Sequence, residues 1–460
     1  MSTIRIGNGA GFWGDSPAAP KTLLKTGNLD YLTLEYLAEV TLSILAHQKK
    51  KNPQLGYVTE VPVVARQLAQ LHTTGETVKL VTNGGGMNPH QCARKVAQEL
   101  LDCNLPETRI GVSAGDDFLS RIPELQNAGE TLENQDTGEP FALIQDRLAS
   151  ANAYLGAGGI VQALNQGASI VLTGRVADAS LVTGPCIHEF GWSLDDLDNI
   201  AKATVAGHLI ECGAQVTGGF FSDWNPDIRL TDIGYPIAEI SDLGEVQITK
   251  PNGSGGIVST QTCAEQLIYE IGDPKAYKTP DVIADFSNVR FDRVQDNLVR
   301  ASGSSHQGRP DQLKASIAYH DGFMATGMIT VVGPQAATKA RSAAEAIFAK
   351  LKQDGITFAE TNIEILGAGD SIPGIRLGAP DPWEVVLRVS ARSPDRRSTD
   401  QLGREIAPLV TSGPPGVTGY TASKATSKPV VSFWPTLVSR EWFTPCVTVK
   451  PADQWILKNE

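Results

Sequence analysis

The sequence predicts an α/β protein, with an N-terminal, doubly wound, mostly parallel sheet followed by a smaller α+β domain. Short apolar runs rich in β-branched residues alternate with helical segments in the first half of the chain, and Gly-rich turns follow the runs. With 460 residues, the chain is too long for one ordinary hydrophobic core. The pattern changes to antiparallel-looking strands further on, so we expect one domain over 1–225 and another over 226–460.

The first domain begins with a predicted strand, Thr3–Ile6, that opens directly into a glycine-rich turn. A helix is predicted over Asp30–Lys51, because apolar residues recur at three-to-four spacing and lysines close the segment, where the helix dipole favours cations. A second helix is expected over 62–75, because Pro62 suits a first helical turn. The other predicted elements of this domain are the strands Thr77–Thr82, Arg109–Ser113 and Ala168–Thr173 and the helices His90–Cys103, Ala179–Phe190 and Asp195–Cys212.

The second domain is predicted to mix helices with antiparallel strands, as in α+β proteins. Its predicted strands lie at 234–240, 244–249, 327–333, 362–369, 383–392 and 429–438, and its predicted helices at 263–271, Pro334–Gln353 and Thr399–Leu409. No internal repeat of fixed period is visible.

Composition excludes several classes of function. The net charge of −12 argues against nucleic acid or an anionic membrane as a partner, since both bind basic surfaces. No apolar run reaches the roughly 18 residues that a membrane-spanning helix needs. The six cysteines show no CxxC spacing, and we expect reduced thiols in a cytoplasmic protein rather than disulfides or a zinc site.

A ligand site is expected beyond the carboxyl ends of the parallel strands, where loops far apart in the sequence meet. The first of these loops contains Gly7, Gly9 and Gly11 and presents Asp15. It is an incomplete dinucleotide fingerprint, because no helix follows it directly, and no cofactor is predicted. We interpret it as a tight turn that lines a pocket, although Asp15 could also simply cap its own turn.

The second loop, which begins at Asn83, contains three consecutive glycines, Gly84 to Gly86, before Asn88 and Pro89. A helix begins directly after it, so its backbone N–H groups could hold a carboxylate, a phosphate or a thioester oxyanion. The alternative is a left-handed turn with Asn88 as the helix cap.

Two further strand ends carry charged residues. Arg175 follows a buried strand directly and needs either an acid or a bound anion, which favours binding of a substrate carboxylate. Asp178 stands three residues later and could also cap the next helix. The pair Asp116 and Asp117 could bind a divalent metal, but a capping role is favoured and no metal site is predicted.

His208, Glu211 and Cys212 share one face of a predicted helix that ends at Gly213. A His and a Glu together can transfer protons or contribute two metal ligands, and a buried His–Glu pair can also be purely structural. Two ligands do not complete a metal site. Cys212 is a weaker candidate for a nucleophile.

Several motifs together resemble the AtuA family, which is named after acyclic terpene utilisation and was long catalogued as a domain of unknown function. The resemblance covers the chain from Thr3 to Val449. The motifs that carry it are IGNGAGFWGD, NGGGMNP, NAYLGAGGIVQAL, GASIVLTGRVADASL, HEFGW, GHLIECGAQVTGG, KPNGSGGIVST and EQLIYEI.

The resemblance implies a part in the bacterial catabolism of branched, terpene-derived acids through CoA thioesters. Some relatives carry a small additional C-terminal domain or a separate small partner chain. We therefore expect that a small partner chain is possible, and we also expect a homo-oligomer. No catalytic residues are established for the family. The predicted site therefore contains only the positions that belong to the family motifs and that the argument above also indicates. These are His208 and Glu211 for catalysis, and Gly9, Gly11, Asp15, Asn83, Gly84, Gly85, Asn88, Arg175 and Asp178 for substrate binding.

Two functions follow as hypotheses. The first is a lyase or hydratase acting on a short or branched acyl substrate, either a CoA thioester or the free acid. In it, His208 and Glu211 move the proton, backbone N–H groups of Asn83–Gly86 hold the enolate oxygen, and Arg175 holds the acid group. The second is a non-catalytic subunit that binds acyl ligands or acts as a scaffold for a small partner chain. A nucleotide-dependent enzyme is disfavoured, since no P-loop lysine follows the glycine turns.

Overall fold

The structure is a computed structural model that describes residues 2–72, 77–372, 374, 381–420 and 425–456. The chain forms two compact units. The first comprises Met1–Ala318 together with Phe433–Glu460, and the second comprises Tyr319–Ser432. The boundary expected at residue 225 lies inside the first unit.

The strands, numbered along the chain, are β1 (Thr3–Asn8), β2 (Tyr31–Leu34), β3 (Lys79–Thr82), β4 (Arg109–Ala114), β5 (Leu148–Ala153), β6 (Ile170–Thr173), β7 (Ile237–Ser241), β8 (Val246–Thr249), β9 (Tyr277–Lys278), β10 (Ile283–Asp285), β11 (Arg290–Gln295), β12 (Leu298–Ser302), β13 (Ser305–His306), β14 (Gln312–Val332), β15 (Glu360–Leu366), β16 (Glu384–Ser393), β17 (Val417–Tyr420), β18 (Lys428–Ser439) and β19 (Cys446–Pro451).

The α-helices are α1 (Ala19–Thr26), α2 (Glu39–Lys51), α3 (Glu60–His72), α4 (Pro89–Asp102), α5 (Ile122–Asn127), α6 (Gly158–Asn165), α7 (Ser180–Phe190), α8 (Leu197–Glu211), α9 (Thr260–Ile268), α10 (Ala336–Gln353), α11 (Arg396–Ile406), α12 (Leu409–Ser412) and α13 (Ala452–Ile456).

The first unit is built on a mixed sheet of ten strands in the order β11-β12-β8-β7-β1-β2-β3-β6-β4-β19. Its five central strands, β1, β2, β3, β6 and β4, pair in parallel. The flanking strands β7 and β19 pair antiparallel with β1 and β4. The α/β class and the large, partly parallel sheet are therefore confirmed, and a doubly wound arrangement stays a prediction.

The parallel strands are short and buried, which fits their apolar, β-branched sequences. All four residues of β6 are buried, and so are Leu32, Leu34 and Leu80 of the neighbouring strands. Helices α1, α3 and α4 contribute buried side chains to the same core. This packing fixes the carboxyl ends of the strands, from which the cavity described below is built.

The prediction of one helix over Asp30–Lys51 is wrong in its first part. The backbone of β2 pairs in parallel with β1 and β3, and the helix begins only at Glu39. The four residues of β2 are too few to establish a helical spacing, and their pairing with two neighbouring strands outweighs it. The other predicted strands and helices of this half are present within a few residues of their expected bounds, and the expected helix end at 75 lies outside the described residues.

The second unit contains an antiparallel sheet in the order β15-β16-β14-β17. Helix α10 packs its alanine-rich face, including Ala340, Ala344 and Ile347, into a core shared with Ile329 and Leu387 of the sheet. Among the residues that the structure describes, no helix is both long and apolar enough to cross a bilayer.

Candidate active site

A cavity of about 710 Å³ lies in the first unit, bordered by residues that follow β1, β2 and β6. Six of the residues predicted for the site lie in its wall, namely Gly11, Asp15, Arg175, Asp178, His208 and Glu211. Loops far apart in the sequence therefore meet at one hollow. The wall also contains charged and aromatic residues that the sequence did not indicate, namely Glu35, Glu39, Tyr154, Tyr277, Glu270 and Lys314.

Arg175 is almost completely buried and already has acidic neighbours. Its Nη1 donates to Oδ1 of Asp178 at 2.6 Å and lies 3.8 Å from Oε1 of Glu35. The guanidinium carbon lies 4.0 Å from the ring centroid of Tyr154. Burial lowers the pKa of Arg175, but Asp178, Tyr154 and Glu35 together raise it well above its ordinary value, so the cation is permanent. Within the described ranges, Nε has no hydrogen-bond partner.

The loop that carries Arg175 is held from the end of β4. Asp116 accepts the backbone N–H of Arg175 and the side-chain amide of Asn152, both at 2.8 Å. Burial raises the pKa of Asp116 to about 6. Asp116 thus joins two loops, whereas Asp117 accepts the backbone N–H of Leu119 at 3.2 Å, as a local cap does.

Glu35 follows β2 and is anchored by the turn after β3. Asn83 donates its amide to Oε2 of Glu35, and Oε1 accepts the backbone N–H of Leu37 at 3.0 Å. Burial and the nearby Asp178 carboxylate raise the pKa of Glu35 well above its ordinary value, against the effect of Arg175. Asn83 therefore acts on the cavity through Glu35 and is not part of its wall.

Glu211 and His208 form a hydrogen-bonded pair on the last turn of α8. Nδ1 of His208 lies 2.8 Å from Oε1 of Glu211, and Nε2 lies 3.2 Å from the carbonyl oxygen of Leu267. A carbonyl only accepts, so Nε2 carries a proton and Nδ1 faces the carboxyl group. Both ring nitrogens are engaged and the residue is 1% exposed. The second oxygen of Glu211, Oε2, has no partner in the described part of the chain.

The two groups shift each other's acidity. Burial raises the pKa of Glu211, the charge of His208 lowers it, and Asp178 and Glu270 raise it, with a net rise. Burial lowers the pKa of His208, but Glu211 and backbone acceptors outweigh burial, with a net rise. A carboxyl group with a raised pKa exchanges protons near neutral pH better than an ordinary glutamate does.

The backbone at Glu211 is fixed by Asn8 at the end of β1. Its side-chain amide lies 2.8 Å from the carbonyl oxygen of Ile210 and 2.9 Å from that of Glu211. Gly213, with a φ of +57°, ends the helix in the left-handed conformation that glycine adopts without strain. The last turn of α8 is thus held against the sheet.

Tyr277 of β9 forms part of the wall beside this pair. Its ring is stacked on Phe286 at a centroid distance of 4.8 Å and lies 5.2 Å from the ring of His208. Burial and the carboxylates of Glu211 and Asp178 raise the pKa of its phenol well above the ordinary value, so the hydroxyl remains a donor. No hydrogen bond joins this hydroxyl to another described residue.

Asp15 closes its own turn and also lines the cavity. Oδ2 accepts the backbone N–H of Gly11 at 2.9 Å, and Oδ1 accepts that of Ser16 at 2.6 Å and the hydroxyl of Tyr235. Gly11 lies so close to α8 that a Cβ would come within 2.7 Å of the Cys212 carbonyl carbon. Both roles considered for this loop are therefore present together.

Besides Asn83, four predicted binding residues lie away from the cavity wall, namely Gly9, Gly84, Gly85 and Asn88. Gly84 and Gly85 are packed where a Cβ would come within 2.5 Å of Val61 and of the Thr173 carbonyl oxygen, respectively. Asn88 donates its amide to the carbonyl oxygens of Pro53 and Leu55. The backbone N–H groups of Gly84, Gly86 and Asn88 donate within the turn itself.

Gly9 packs against Leu34 and Pro20, where a Cβ would come within 3.1 and 3.2 Å of their atoms. Gly9, Gly84 and Gly85 therefore make packing contacts and lie outside the cavity wall.

The residues that the sequence did not indicate form a second charged group. Tyr154 donates its hydroxyl to Glu39, and Lys314 lies 3.5 Å from the same carboxylate. Burial raises the pKa of Glu39, but Tyr154 and Lys314 lower it to about 2. Tyr154 lies in the family motif NAYLGAGGIVQAL, directly after β5, and these two signals could have indicated it. Glu35 lies directly after β2 in the same way. The sequence analysis did not indicate it because it predicted a helix over this segment.

Two other chemistries find little support here. Burial raises the pKa of the Cys212 thiol far above its ordinary value, which keeps it protonated and a poor nucleophile. Within the described ranges, no three His, Cys, Asp or Glu side chains are arranged to hold a metal ion.

Comparison with known proteins gives a family and little else. No curated protein matches the sequence. Among solved structures, an amidase of the hydantoinase/carbamoylase family from Burkholderia multivorans matches 26% of this chain and 30% of its own, at 15% identity and a TM-score of 0.17. The de novo designed protein Ferredog-Diesel matches 28% of this chain and 97% of its own, at 19% identity and a TM-score of 0.15. Scores this low carry no argument about fold or function.

The family model does cover the chain. The model described as "Acyclic terpene utilisation family protein AtuA" matches residues 4–449, which include every residue of the cavity wall. This range agrees with the resemblance seen in the motifs. The chain belongs to the AtuA family of acyclic terpene utilisation proteins.

Proposed function

We propose that this AtuA-family protein is an acid–base enzyme that adds water to, or eliminates it from, a short or branched acyl substrate. The observation that carries the proposal is the hydrogen-bonded pair of Glu211 and His208, two residues that line a cavity of about 710 Å³. The second carboxyl oxygen of Glu211 is buried and has no hydrogen-bond partner among the described residues. The family context, acyclic terpene utilisation, supports an acyl substrate.

Glu211 is the group that moves the proton. In hydration of an α,β-unsaturated acyl group, its carboxylate takes a proton from water while the water oxygen bonds to the β-carbon. The π pair of the C=C bond then forms a double bond between the α-carbon and the carbonyl carbon, and the π pair of the carbonyl group moves to its oxygen. The resulting enolate takes the proton back from Glu211 at the α-carbon, which restores the carbonyl group. Elimination is the reverse of these steps.

His208 is a positioning residue in this scheme. Both of its ring nitrogens are engaged, so it does not reach the substrate. Its bond to Oε1 orients the carboxyl group, and its charge sets the proton affinity of Glu211.

Tyr277 replaces the backbone N–H groups of Asn83–Gly86 as the proposed donor to the enolate oxygen. A developing enolate oxygen needs a hydrogen-bond donor that stays protonated. The phenol of Tyr277 is such a donor and belongs to the same wall as Glu211. Leu37, Ala38 and Ala177 supply apolar surface in this wall for an acyl chain.

The test is turnover of branched, unsaturated acyl thioesters and esters, followed by mass spectrometry for the gain or loss of one water. Glu211→Gln keeps the size of the side chain and removes its basicity, so kcat is expected to fall by about 10²–10⁴-fold. Asp198→Asn is the matched control, since Asp198 lies on the same helix with its side chain 83% exposed. Its activity should equal that of the unmodified protein.

Two outcomes contradict the proposal. One is full activity in Glu211→Gln. The other is binding of acyl ligands without turnover, accompanied by a stoichiometric small protein in the native host, which favours the subunit hypothesis.

A further inference from the structure

We propose that Asp178 is a specificity-determining residue: by occupying Arg175 it makes the cavity accept the acyl group in uncharged form, as an ester, thioester or amide, and reject the free carboxylate. This inference rests on the proposed function for the identity of the ligand as an acyl group. It assigns Arg175 a role opposite to that of an anchor for a substrate acid.

The charges of the wall leave little room for an anion. Six carboxyl groups face three lysine and arginine cations there, namely Asp15, Glu35, Glu39, Asp178, Glu211 and Glu270 against Arg175, Lys278 and Lys314. His208 is also in the wall and is paired with Glu211. Two of these cations are already paired, Arg175 with Asp178 and Lys314 with Glu39. Lys278 is exposed to solvent, which screens its charge. A carboxylate ligand would add a seventh acid without gaining an unpaired buried cation.

Arg175 cannot simply turn toward a ligand. Tyr154 covers one face of its guanidinium at 4.0 Å, and Nη1 is bound to Asp178 and close to Glu35. Its backbone is fixed by Asp116. Nε of Arg175 has no partner among the described residues but is buried. A carboxylate that bound Arg175 would therefore share its charge with Asp178 and Glu35 and bring a third acid beside them.

Asp178 is also the acid that can be removed with least damage. Its side chain is 31% exposed, whereas that of Glu35 is 7% exposed and accepts a backbone N–H. Substitution by Asn preserves the shape of the side chain and releases one positive charge toward the cavity. The prediction is thus a change of ligand preference and not a loss of fold.

The experiment compares two ligands with one carbon skeleton, 4-methylpentanamide and 4-methylpentanoate, by titration calorimetry on the full chain at neutral pH. The unmodified protein should bind the amide at least about tenfold more tightly than the acid. Asp178→Asn should bind the acid at least about tenfold more tightly than the unmodified protein does, with the affinity for the amide changed less than about threefold.

Glu270→Gln is the matched control. It removes one carboxylate from the same wall, and among the described residues no ion pair joins Glu270 to Arg175. Its affinity for the acid should rise by less than about threefold, which separates release of Arg175 from a change in net charge. An equal gain in both variants would overturn the role of Asp178.

A second measurement needs no variant. As the pH is lowered toward the pKa of the ligand's own carboxyl group, the acid should approach the affinity of the amide for the unmodified protein. Tighter binding of the carboxylate than of the amide at neutral pH would overturn the inference. Tighter binding of the matching ammonium compound, 4-methylpentylamine, than of the amide would also overturn it. So would a result in which none of the three compounds binds. Since binding is measured and not turnover, a failed reaction with the expected preference would count against the proposed function alone.

Discussion

Gly207 of α8 lies directly against Ala179, the residue before α7. A Cβ built on Gly207 would come within 2.7 Å of the Cα and 2.8 Å of the carbonyl oxygen of Ala179. These are backbone atoms, which cannot move aside as the end of a flexible side chain can. The absence of a side chain at 207 therefore allows α8 to lie close to the loop of Arg175 and Asp178.

Gly207→Ala is expected to lower the free energy of unfolding by about 1–3 kcal/mol, because the added methyl group overpacks this contact. Urea denaturation measures the change. Glu211 lies one turn further along α8, so activity should fall as well.

Gly158→Ala is the control for this substitution. Gly158 is also helical, but a Cβ there would meet nothing within 4 Å. The free energy of unfolding of Gly158→Ala should equal that of the unmodified protein or exceed it by up to about 1 kcal/mol, because alanine favours the helix. Equal destabilisation by both substitutions would show that the contact with Ala179 does not matter.

Asp116 gives a prediction about stability and pH. Its pKa is about 6 in the folded protein against an ordinary value of 3.8, because burial disfavours the charge. The folded state therefore holds this proton more tightly, and the associated stability is complete below about pH 3.8 and lost as the pH rises through about 6. Asp116→Asn lacks this titration.

Relative to Asp116→Asn, the unmodified protein should lose about 1–3 kcal/mol between these two pH values. Denaturation of both proteins across the range measures the difference. A difference that is constant with pH would contradict the raised pKa of Asp116.

His208→Gln is expected to change the pH dependence of catalysis. The charge of His208 lowers the pKa of Glu211, so without it that pKa rises further. If Glu211 acts as the base, the acidic limb of the kcat/KM profile should shift to higher pH. A profile that keeps its position while only its height changes would indicate a purely structural role for His208.

Tyr277→Phe removes the hydroxyl and keeps the ring that is stacked on Phe286. We expect kcat to fall by about 10²-fold with little change in KM or in thermal stability, because the donor acts mainly on the enolate oxygen. Steady-state kinetics and a melting curve measure both effects. Unchanged kcat would exclude the hydroxyl as the donor.

Much of the cavity follows from the sequence because the ends of parallel strands share one edge of a sheet. The apolar run before Gly174 suffices to place Arg175 and Asp178 there, and helical spacing brings His208 and Glu211 onto one face of α8. Glu35 is missed for a physical reason. Four residues, Tyr31–Leu34, are too few for periodicity to distinguish a strand from a helix, and pairing with β1 and β3 decides.

The other unexpected residues depend on contacts between distant parts of the chain. Tyr154 donates its backbone N–H to the carbonyl oxygen of Lys314 at 2.8 Å, across 160 positions. No local pattern encodes such a neighbour. The role of the turn after Asn83 is hard to predict for a different reason. A glycine turn whose N–H groups bond within the turn and a glycine turn that binds an anion need the same residues, so the sequence does not distinguish them.

The central sheet also determines when this protein can fold during synthesis. Thr3 of β1 faces Ser241 of β7, and Ala114 of β4 faces Cys446 of β19. A nascent chain that has not yet reached residue 446 leaves the outer edge of β4 bare, and such an edge readily recruits strands from other copies. The outer edge of β4 is covered only after β19 has been synthesised, so slower translation before that point prolongs the exposure of this edge to aggregation and to chaperones.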